Sequence, residues 1–202
     1  MNRVRDLRVR PDVLYLASGW SALVTDTRGR IEAGTHGFYR YNTRVLSRER
    51  ITVDGREPVE FSTGNVGTVA QLSYAALGDS EHLPSQAVYL LRERFLGDGL
   101  RTRLRVLSFA AQPLRLAVRV ELAADFVDNT EAERGRPVPP ADVASRWDPT
   151  RRELRLTQRH TPLDRAVVIR VEPGPPVRSE TPRDTPAGPV AAPALEVELA
   201  VA

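Results

Sequence analysis

Residues 100–122 read LRTRLRVLSFAAQPLRLAVRVEL and carry the clearest structural pattern of the chain. Apolar residues and arginines alternate over Leu100–Leu107 and again over Leu114–Leu122, which is the period of a β-strand with one buried face. Ala111–Pro113 separates the two runs, so the pattern predicts an antiparallel pair joined by a short turn. The arginine-bearing faces are predicted to face solvent; a basic ligand-binding face is the alternative.

Similar runs occur along most of the chain, with turn residues between them. Val88–Phe95 precedes the first run and is linked to it by Gly97-Asp98-Gly99, a hairpin signal. Asp54-Gly55 predicts a second hairpin, which joins Arg44–Val53 to Glu57–Phe61. About a dozen short strands are expected in all, and the best helical turn is at Asn129–Arg134. This pattern predicts an all-β fold, an antiparallel β-sandwich, as a single domain over residues 1–202.

Two stretches rich in proline interrupt the strand pattern. Residues 134–143 and 173–193 contain three and seven prolines, which lack the amide donor that a sheet requires. Both are predicted to be long loops. The sequence then returns to alternation at Leu195–Val201 and ends within it. We therefore expect the chain to be the N-terminal part of a longer enzyme whose catalytic barrel is absent.

Composition excludes several classes of protein. The chain of 202 residues is 41% hydrophobic and 27% charged, typical of a soluble globular domain, and it has no apolar run long enough to span a membrane. It contains no cysteine, so a cytoplasmic location is expected. All 29 basic residues are arginine, set against 26 acids, and the two signs alternate instead of forming a positive patch. Nucleic acid and membrane are therefore not expected as partners.

Few residues indicate chemistry. The histidines, His36, His82 and His160, are far apart and lie in turn-like contexts, so no metal site is expected. No phosphate-binding loop, dinucleotide fingerprint or serine elbow is present, so no cofactor and no catalytic residue are expected in this chain.

Two segments nevertheless concentrate polar and aromatic side chains. Residues 37–47, GFYRYNTRVLS, place three aromatics and two arginines at the mouth of a predicted strand. Residues 125–133, DFVDNTEAE, hold four carboxylates after another predicted strand. Paired carboxylates suit acid and base catalysis on a glycosidic bond or the binding of sugar hydroxyls. The alternative is a structural turn in which Asp125 caps the helical turn and Arg134 pairs with one of the acids.

These two segments resemble signatures of a known family. In the first signature, Gly37, an aromatic pair, Asn42-Thr43-Arg44 and Ser47 precede a strand that ends at Asp54-Gly55. The second signature runs from Ala124-Asp125-Phe126 through Asp128 and Glu131 to Arg134-Gly135. Residues 18–135 are thereby similar to the N-terminal domain of bacterial and archaeal glycogen debranching enzymes of the amylo-alpha-1,6-glucosidase type. Asn42 stands where that family usually has Asp.

The resemblance implies a specific fold and role. It implies a galactose-mutarotase-like supersandwich, and a separate (α/α)6 barrel that hydrolyses α-1,6 branch points. This chain would be the non-catalytic accessory domain, with the barrel and an α-glucan, glycogen or maltooligosaccharide, as partners. The alternatives are a free-standing β-sandwich interaction protein without sugar affinity, and a small mutarotase-like enzyme.

Nine residues are candidates for substrate binding or for a domain interface. The aromatic rings can stack on sugar faces and the polar groups can reach hydroxyls, but tyrosine and arginine are also common at domain interfaces. The candidates are Tyr39, Arg40, Tyr41, Asn42, Arg44, Asp125, Asp128, Glu131 and Arg134.

Overall fold

The computed structural model describes residues 12–32, 34–78, 86–134, 143–159, 163–180 and 193–201, and within them the chain is all-β with antiparallel pairing. The single described helix is α1 (Asn129–Arg134), at the position the sequence predicts. The strands are β1 (Val13–Ser18), β2 (Ser21–Asp26), β3 (Gly37–Arg40), β4 (Thr43–Leu46), β5 (Arg48–Val53), β6 (Val59–Val66), β7 (Ala70–Ala76), β8 (Val88–Leu96), β9 (Leu100–Ser108), β10 (Leu114–Ala123), β11 (Val143–Asp148), β12 (Glu153–Gln158), β13 (Arg165–Arg170), β14 (Val177–Glu180) and β15 (Ala194–Val201).

The strands form four hydrogen-bonded sheets. Sheet A contains β1 to β4 in chain order, and sheet C contains β6 to β9 in chain order. Sheet B has the order β14-β15-β10-β5, and sheet D contains β11 to β13. Local hairpins therefore account for three sheets, whereas sheet B is assembled from strands that are distant in sequence.

The predicted pairing within residues 100–122 is wrong. β9 pairs with β8 in sheet C, and β10 lies between β5 and β15 in sheet B. Because both edges of β10 are occupied, the intervening residues cross between sheets. The crossing begins at Phe109, whose amide still donates to the carbonyl of Ala87. The N–O distance of this hydrogen bond is 2.7 Å. The hairpin predicted at Gly97–Gly99 is confirmed as the β8–β9 connection.

The Asp54-Gly55 turn forms, but the strand that follows it pairs elsewhere. Both residues have left-handed φ angles, 48° and 73°, and Val53 and Arg56 exchange backbone hydrogen bonds across the turn. Asp54 is also bound to β10, because its amide donates to the carbonyl of Ala117 and its carboxylate accepts from the Ala117 amide. The turn thus ends the β5–β10 pairing, and the chain continues into sheet C as β6.

The proline-rich stretches are only partly described. Residues 135–142 and 181–192 lie outside the described residues, as do His82, His160 and Ala202. The prediction of a loop throughout 173–193 is wrong over Val177–Glu180, which form β14 and pair with β15. These four residues contain no proline, so every amide can donate to a sheet.

Two apolar clusters hold the four sheets together. One contains Leu16 and Leu23 of sheet A, Leu96 of sheet C, Leu122 of sheet B and Leu154 of sheet D. The other joins sheets B and C, and its members include Ile51, Val53, Ala75, Val88, Leu90, Leu116 and Val118. Sheets B and C therefore contribute residues to a shared core.

A buried ionic cluster lies beside this core and corrects the prediction that arginine-bearing faces meet solvent. Arg101, Arg103 and Arg105 of β9 are exposed as predicted, but Arg92 and Arg94 of β8 are only 6% and 2% exposed. The Arg94 guanidinium donates to the Glu49 carboxylate at 2.6 Å, which links sheet C to sheet B. β8 is a central strand whose inner face is covered, so its alternation places charged residues inside the protein.

The turn after β2 completes this cluster. The Gly29 carbonyl accepts from Arg94 at 2.6 Å, and the Arg28 carbonyl accepts from Arg92 at 3.1 Å. Gly29 has a φ angle of 75°, and a Cβ atom there would lie 2.8 Å from an Arg92 nitrogen. Glycine is therefore required at this position by both its conformation and the close approach of the buried arginine.

Candidate functional site

The tight turn between β3 and β4 is the centre of the first signature. Tyr41 and Asn42 both have left-handed φ angles, 48° and 64°, as in a two-residue hairpin turn. The Tyr41 amide donates to the Trp20 carbonyl at 3.0 Å, and the Asn42 carbonyl accepts from the Asn129 amide at 2.9 Å. Asparagine is well tolerated in this conformation. The contact with Asn129 uses the backbone carbonyl of Asn42, so it does not depend on a side-chain charge at position 42.

An ion pair joins the two signatures. Arg44 Nε donates to both carboxylate oxygens of Asp125 at 3.1 Å, and its second nitrogen, Nη1, donates to the carbonyls of Gly34 and His36. Burial disfavours the charged guanidinium, but the Asp125 carboxylate outweighs it and raises the pKa of Arg44. A Cβ atom on Gly37 would lie 2.5 Å from Arg44 Cδ. The glycine and the arginine of the first signature and the aspartate of the second therefore form one contact.

Backbone hydrogen bonds reinforce this contact. The Arg44 amide donates to the Val127 carbonyl at 2.8 Å, and the Arg44 carbonyl accepts from the Phe126 amide at 3.1 Å. Phe126 is 1% exposed and anchors the segment in the core. The segment after β10 thus lies along β4 and brings the two sequence signatures side by side.

The carboxylates of Asp128 and Glu131 cap helix α1. Asp128 Oδ1 accepts from the Glu131 amide at 2.8 Å, and Glu131 Oε2 accepts from the Asp128 amide at 3.1 Å, a reciprocal capping box. The helix cap is therefore Asp128 and not Asp125, because Asp125 is paired with Arg44. Arg134 is the last residue of the helix, where a positive charge interacts favourably with the helix dipole. In the described part of the chain, no ion pair joins Arg134 to Asp125, Asp128 or Glu131.

Tyr39 lies in the core. It is 8% exposed and packs in a cluster with Val13, Val24, Val127 and Ala132. Its hydroxyl donates to the Thr35 carbonyl at 2.8 Å, and burial raises the pKa of Tyr39. The ring therefore supports the turn from beneath and offers little surface to a ligand.

Two other rings at this corner are exposed. Trp20 is 71% exposed in the β1–β2 turn and Tyr41 is 62% exposed, and their ring centroids are 6.2 Å apart with an interplanar angle of 30°. The Arg40 guanidinium lies 4.8 Å from the Tyr41 ring centroid, within the range of a cation–π contact, and donates to the Ser21 hydroxyl. We call Trp20, Arg40 and Tyr41 the aromatic corner.

Trp20 is the residue that sequence reasoning missed. The signal was its position after Gly19 in a short turn between two predicted strands, where a side chain as large as tryptophan has little core to enter. Its proximity to Tyr41 depends on the β2–β3 pairing, which places Ser21 opposite Arg40.

A comparison with protein families identifies the chain. A family model described as the N-terminal domain of (some) glycogen debranching enzymes matches residues 16–190. The chain belongs to this family. The match extends beyond the two signatures and includes strands of all four sheets of the glycogen debranching N-terminal domain, with β15 lying after its end. A search of curated proteins gave no match.

In the described ranges, no group of three or more His, Cys, Asp or Glu side chains is arranged to hold a metal ion. No helix of those ranges is long and apolar enough to cross a membrane.

Proposed function

We propose that this chain is the non-catalytic N-terminal domain of a glycogen debranching type glycoside hydrolase. In this proposal it packs on an (α/α)6 catalytic domain and helps to bind the α-glucan substrate in the cytoplasm, as part of carbohydrate metabolism. Membership of the family supports the general assignment. The observation that carries the sugar-binding part is the exposed aromatic corner, Trp20 with Arg40 and Tyr41.

The chemistry of the aromatic corner suits a sugar. Exposed rings present apolar faces on which the C–H faces of a glucose unit can stack, and indole and phenol also offer polar atoms. Successive units of an α-glucan are inclined to one another, and the two rings are inclined by 30°. The Arg40 guanidinium and the exposed Asn42 side chain lie beside the rings as hydrogen-bonding groups for hydroxyls.

The engagement of the neighbouring acids supports a non-catalytic role. Hydrolysis of a glycosidic bond requires two carboxyl groups on opposite sides of the bond, one of them available as a proton donor. Asp125 is paired with Arg44, and Asp128 and Glu131 are bound to each other's amides. Each of these three acids therefore has a structural partner that occupies its carboxylate.

We also propose that sheets B and C are the two layers of a galactose-mutarotase-like sandwich. The cluster that contains Ile51, Leu90 and Val118 supports this, because it is built from inward-facing residues of both sheets. The Glu49–Arg94 pair adds a polar link between the same two layers.

Fluorescence titration tests the sugar-binding part. The chain has two tryptophans, so Trp147→Phe leaves Trp20 as the only indole. Titration of this variant with maltoheptaose should give a saturable change in emission. Adding Tyr41→Ala should weaken the affinity about tenfold, the equivalent of one lost ring contact.

The matched control is Phe109→Ala, since this ring is 72% exposed but lies away from the corner. It should leave the affinity unchanged, and Trp20→Ala, followed by calorimetry, should weaken it as Tyr41→Ala does. An unchanged affinity in both corner variants would contradict the assignment of the site. No saturable binding by a folded chain would favour the alternative, an interaction protein without sugar affinity.

A further inference from the structure

The outer face of sheet C is apolar, and its large side chains are exposed among the residues that the structure describes. Seven of the eleven large hydrophobic side chains that are exposed in the described residues lie on this face or continue it. They are Val59, Phe61, Val66, Tyr74, Phe95, Leu107 and Phe109. The cross-strand register places them together, for example in the row Val66–Ala70–Phe95.

Contacts between rings make one continuous surface from these side chains. The Phe61 centroid lies 6.4 Å from that of Tyr74 and 6.1 Å from that of Tyr89, and Tyr89 lies 5.6 Å from Phe109. A groove of about 490 Å³ opens beside Phe61 and Tyr89 at one end of the face. The surface is therefore a connected strip with a recess, and not a set of isolated exposed residues.

Such a face is unusual for an antiparallel sheet. One face of the sheet normally packs on the core and the other carries polar residues. Sheet C already uses its inner face, where Ala75, Val88 and Leu90 join the core. Seven large side chains, each between 39% and 72% exposed, lie on one face, and a contiguous apolar patch of this kind on a monomer is often functional. The fully buried core of a protein interface is likewise richer in apolar surface than its rim.

The polar groups on this face argue for a protein partner and against a sugar. A glucan needs hydrogen-bonding groups between the stacking rings. The outer face of β6, β7 and β8 supplies few of them: Ser62, Glu93 and the hydroxyls of Tyr74 and Tyr89, of which Glu93 is paired with Arg105 and the Tyr89 hydroxyl with Gln86. The exposed arginines of β9, Arg101, Arg103 and Arg105, form a basic border along one edge. A partner that fits has an apolar centre and an acidic border on that side.

A second copy of the chain fits this border poorly. Its own outer face carries the same three arginines and the same single glutamate, so face-to-face association adds like charge to the rim of the contact. A helical layer suits the face better, because helices commonly cover a sheet with their apolar side.

We propose that the outer face of sheet C is the docking surface for the helical catalytic domain, through an apolar helical surface with an acidic border. The inference rests on the proposed function, which supplies that domain, and it assigns the contact to sheet C instead of the aromatic corner. The corner then remains free for glucan while the domains are docked.

Photo-cross-linking in the complete enzyme, expressed from the full reading frame, tests the proposal. Phe61→p-benzoylphenylalanine and Phe109→p-benzoylphenylalanine each place the probe on the face, and Tyr15→p-benzoylphenylalanine places it on an exposed ring of sheet A as a control. Mass spectrometry of the cross-linked peptides should find the catalytic domain joined to positions 61 and 109 and not to position 15.

The other outcomes contradict the proposal in distinguishable ways. Cross-links between isotopically distinct copies would assign the face to self-association. Cross-links to the catalytic domain from position 15 alone, with none from 61 or 109, would move the interface and leave the proposed function standing. A reading frame without a helical domain would overturn the packing part of the proposed function and this inference together, while the maltoheptaose titration would still report on the corner.

Discussion

Two consecutive residues of β8, Glu93 and Arg94, each form an ion pair with an N–O distance of 2.6 Å, but on opposite faces of sheet C. On the inner face Arg94 pairs with Glu49, and the side chains are 0% and 5% exposed. On the outer face Glu93 pairs with Arg105, and the side chains are 28% and 51% exposed. The distance is the same, so any difference in their contribution to stability must come from the surroundings.

The surroundings of the inner pair make it part of a network. Arg94 also donates to the Gly29 carbonyl and to Gln71 Oε1 at 3.0 Å, and Arg92 lies 4.0 Å from the same Glu49 carboxylate. Burial opposes the charge on Glu49, but the two guanidiniums outweigh it and lower the pKa of this carboxyl. Burial lowers the pKa of Arg92 to about 10, which leaves it charged at neutral pH. One carboxylate is thus the shared counter-ion of two buried cations.

Removal of that carboxylate should have the largest effect in the molecule. Glu49→Gln keeps the size of the side chain but leaves Arg92 and Arg94 without a counter-charge inside the protein, a loss of about 3–5 kcal/mol in the free energy of unfolding. Urea denaturation followed by circular dichroism measures it. The matched control is Glu57→Gln, whose carboxylate pairs with Arg50 at the surface with side chains 48% and 40% exposed, and it should change stability by about 0.5 kcal/mol or less.

An equal, small effect of the two substitutions would show that water reaches the inner cluster in solution. In that case the inner and outer ion pairs of sheet C would not differ in stability through burial. The close approach of Gly29 to Arg92 would then not be a sign that water is excluded from the inner cluster.

The Arg44–Asp125 pair is less buried than the inner pair of β8 and less exposed than the Arg50–Glu57 pair at the surface. Its side chains are 12% and 29% exposed. Arg44→Met preserves most of the stem that packs on Gly37 but removes the hydrogen bonds to Asp125, Gly34 and His36. The expected loss is about 1.5–3 kcal/mol, the range for hydrogen bonds to charged groups. Thermal unfolding measures it, with Arg50→Met as the surface control; equal effects of the two would place the Arg44 contact among ordinary surface pairs.

The same contrast explains what the sequence could and could not predict. Alternation identified β8 and β9, and the Gly97–Gly99 turn identified their hairpin, because these signals are local. Alternation could not tell that the arginines of β8 point inward, since their cover comes from Glu49 and the turn at Gly29, which are distant in sequence. The predicted partner of β10 was wrong for the same reason. Its actual neighbours, β5 and β15, come from opposite ends of the chain.

The candidate site shows a similar division. The two signatures were recognisable as residue patterns, and the helical turn at Asn129–Arg134 followed from local sequence. The contact between Arg44 and Asp125 spans 81 residues and depends on the placement of the segment after β10 along β4. The distinction between a buried Tyr39 and an exposed Tyr41 depends on the turn between β3 and β4, where the left-handed conformation of Tyr41 turns its side chain out of the strand alternation.

Loss of the outer pair, Arg105–Glu93, should have the smallest effect on stability. The size of this effect depends on whether a partner covers the outer face of sheet C. In the isolated chain, Arg105→Met should change the free energy of unfolding by about 0.5 kcal/mol or less, because the Arg105 and Glu93 side chains are 51% and 28% exposed and solvent screens their attraction. Arg103→Met is the control, because Arg103 lies two residues before Arg105 on the same exposed face of β9, and it should behave alike. If a partner domain covers the face, the Arg105–Glu93 pair loses water and Glu93 loses its counter-ion in the variant, so the cost should rise in the complete enzyme. A loss that is equally small in both settings would mean that the outer face stays open to solvent, and the two ion pairs of β8 would then remain different in every state of the protein.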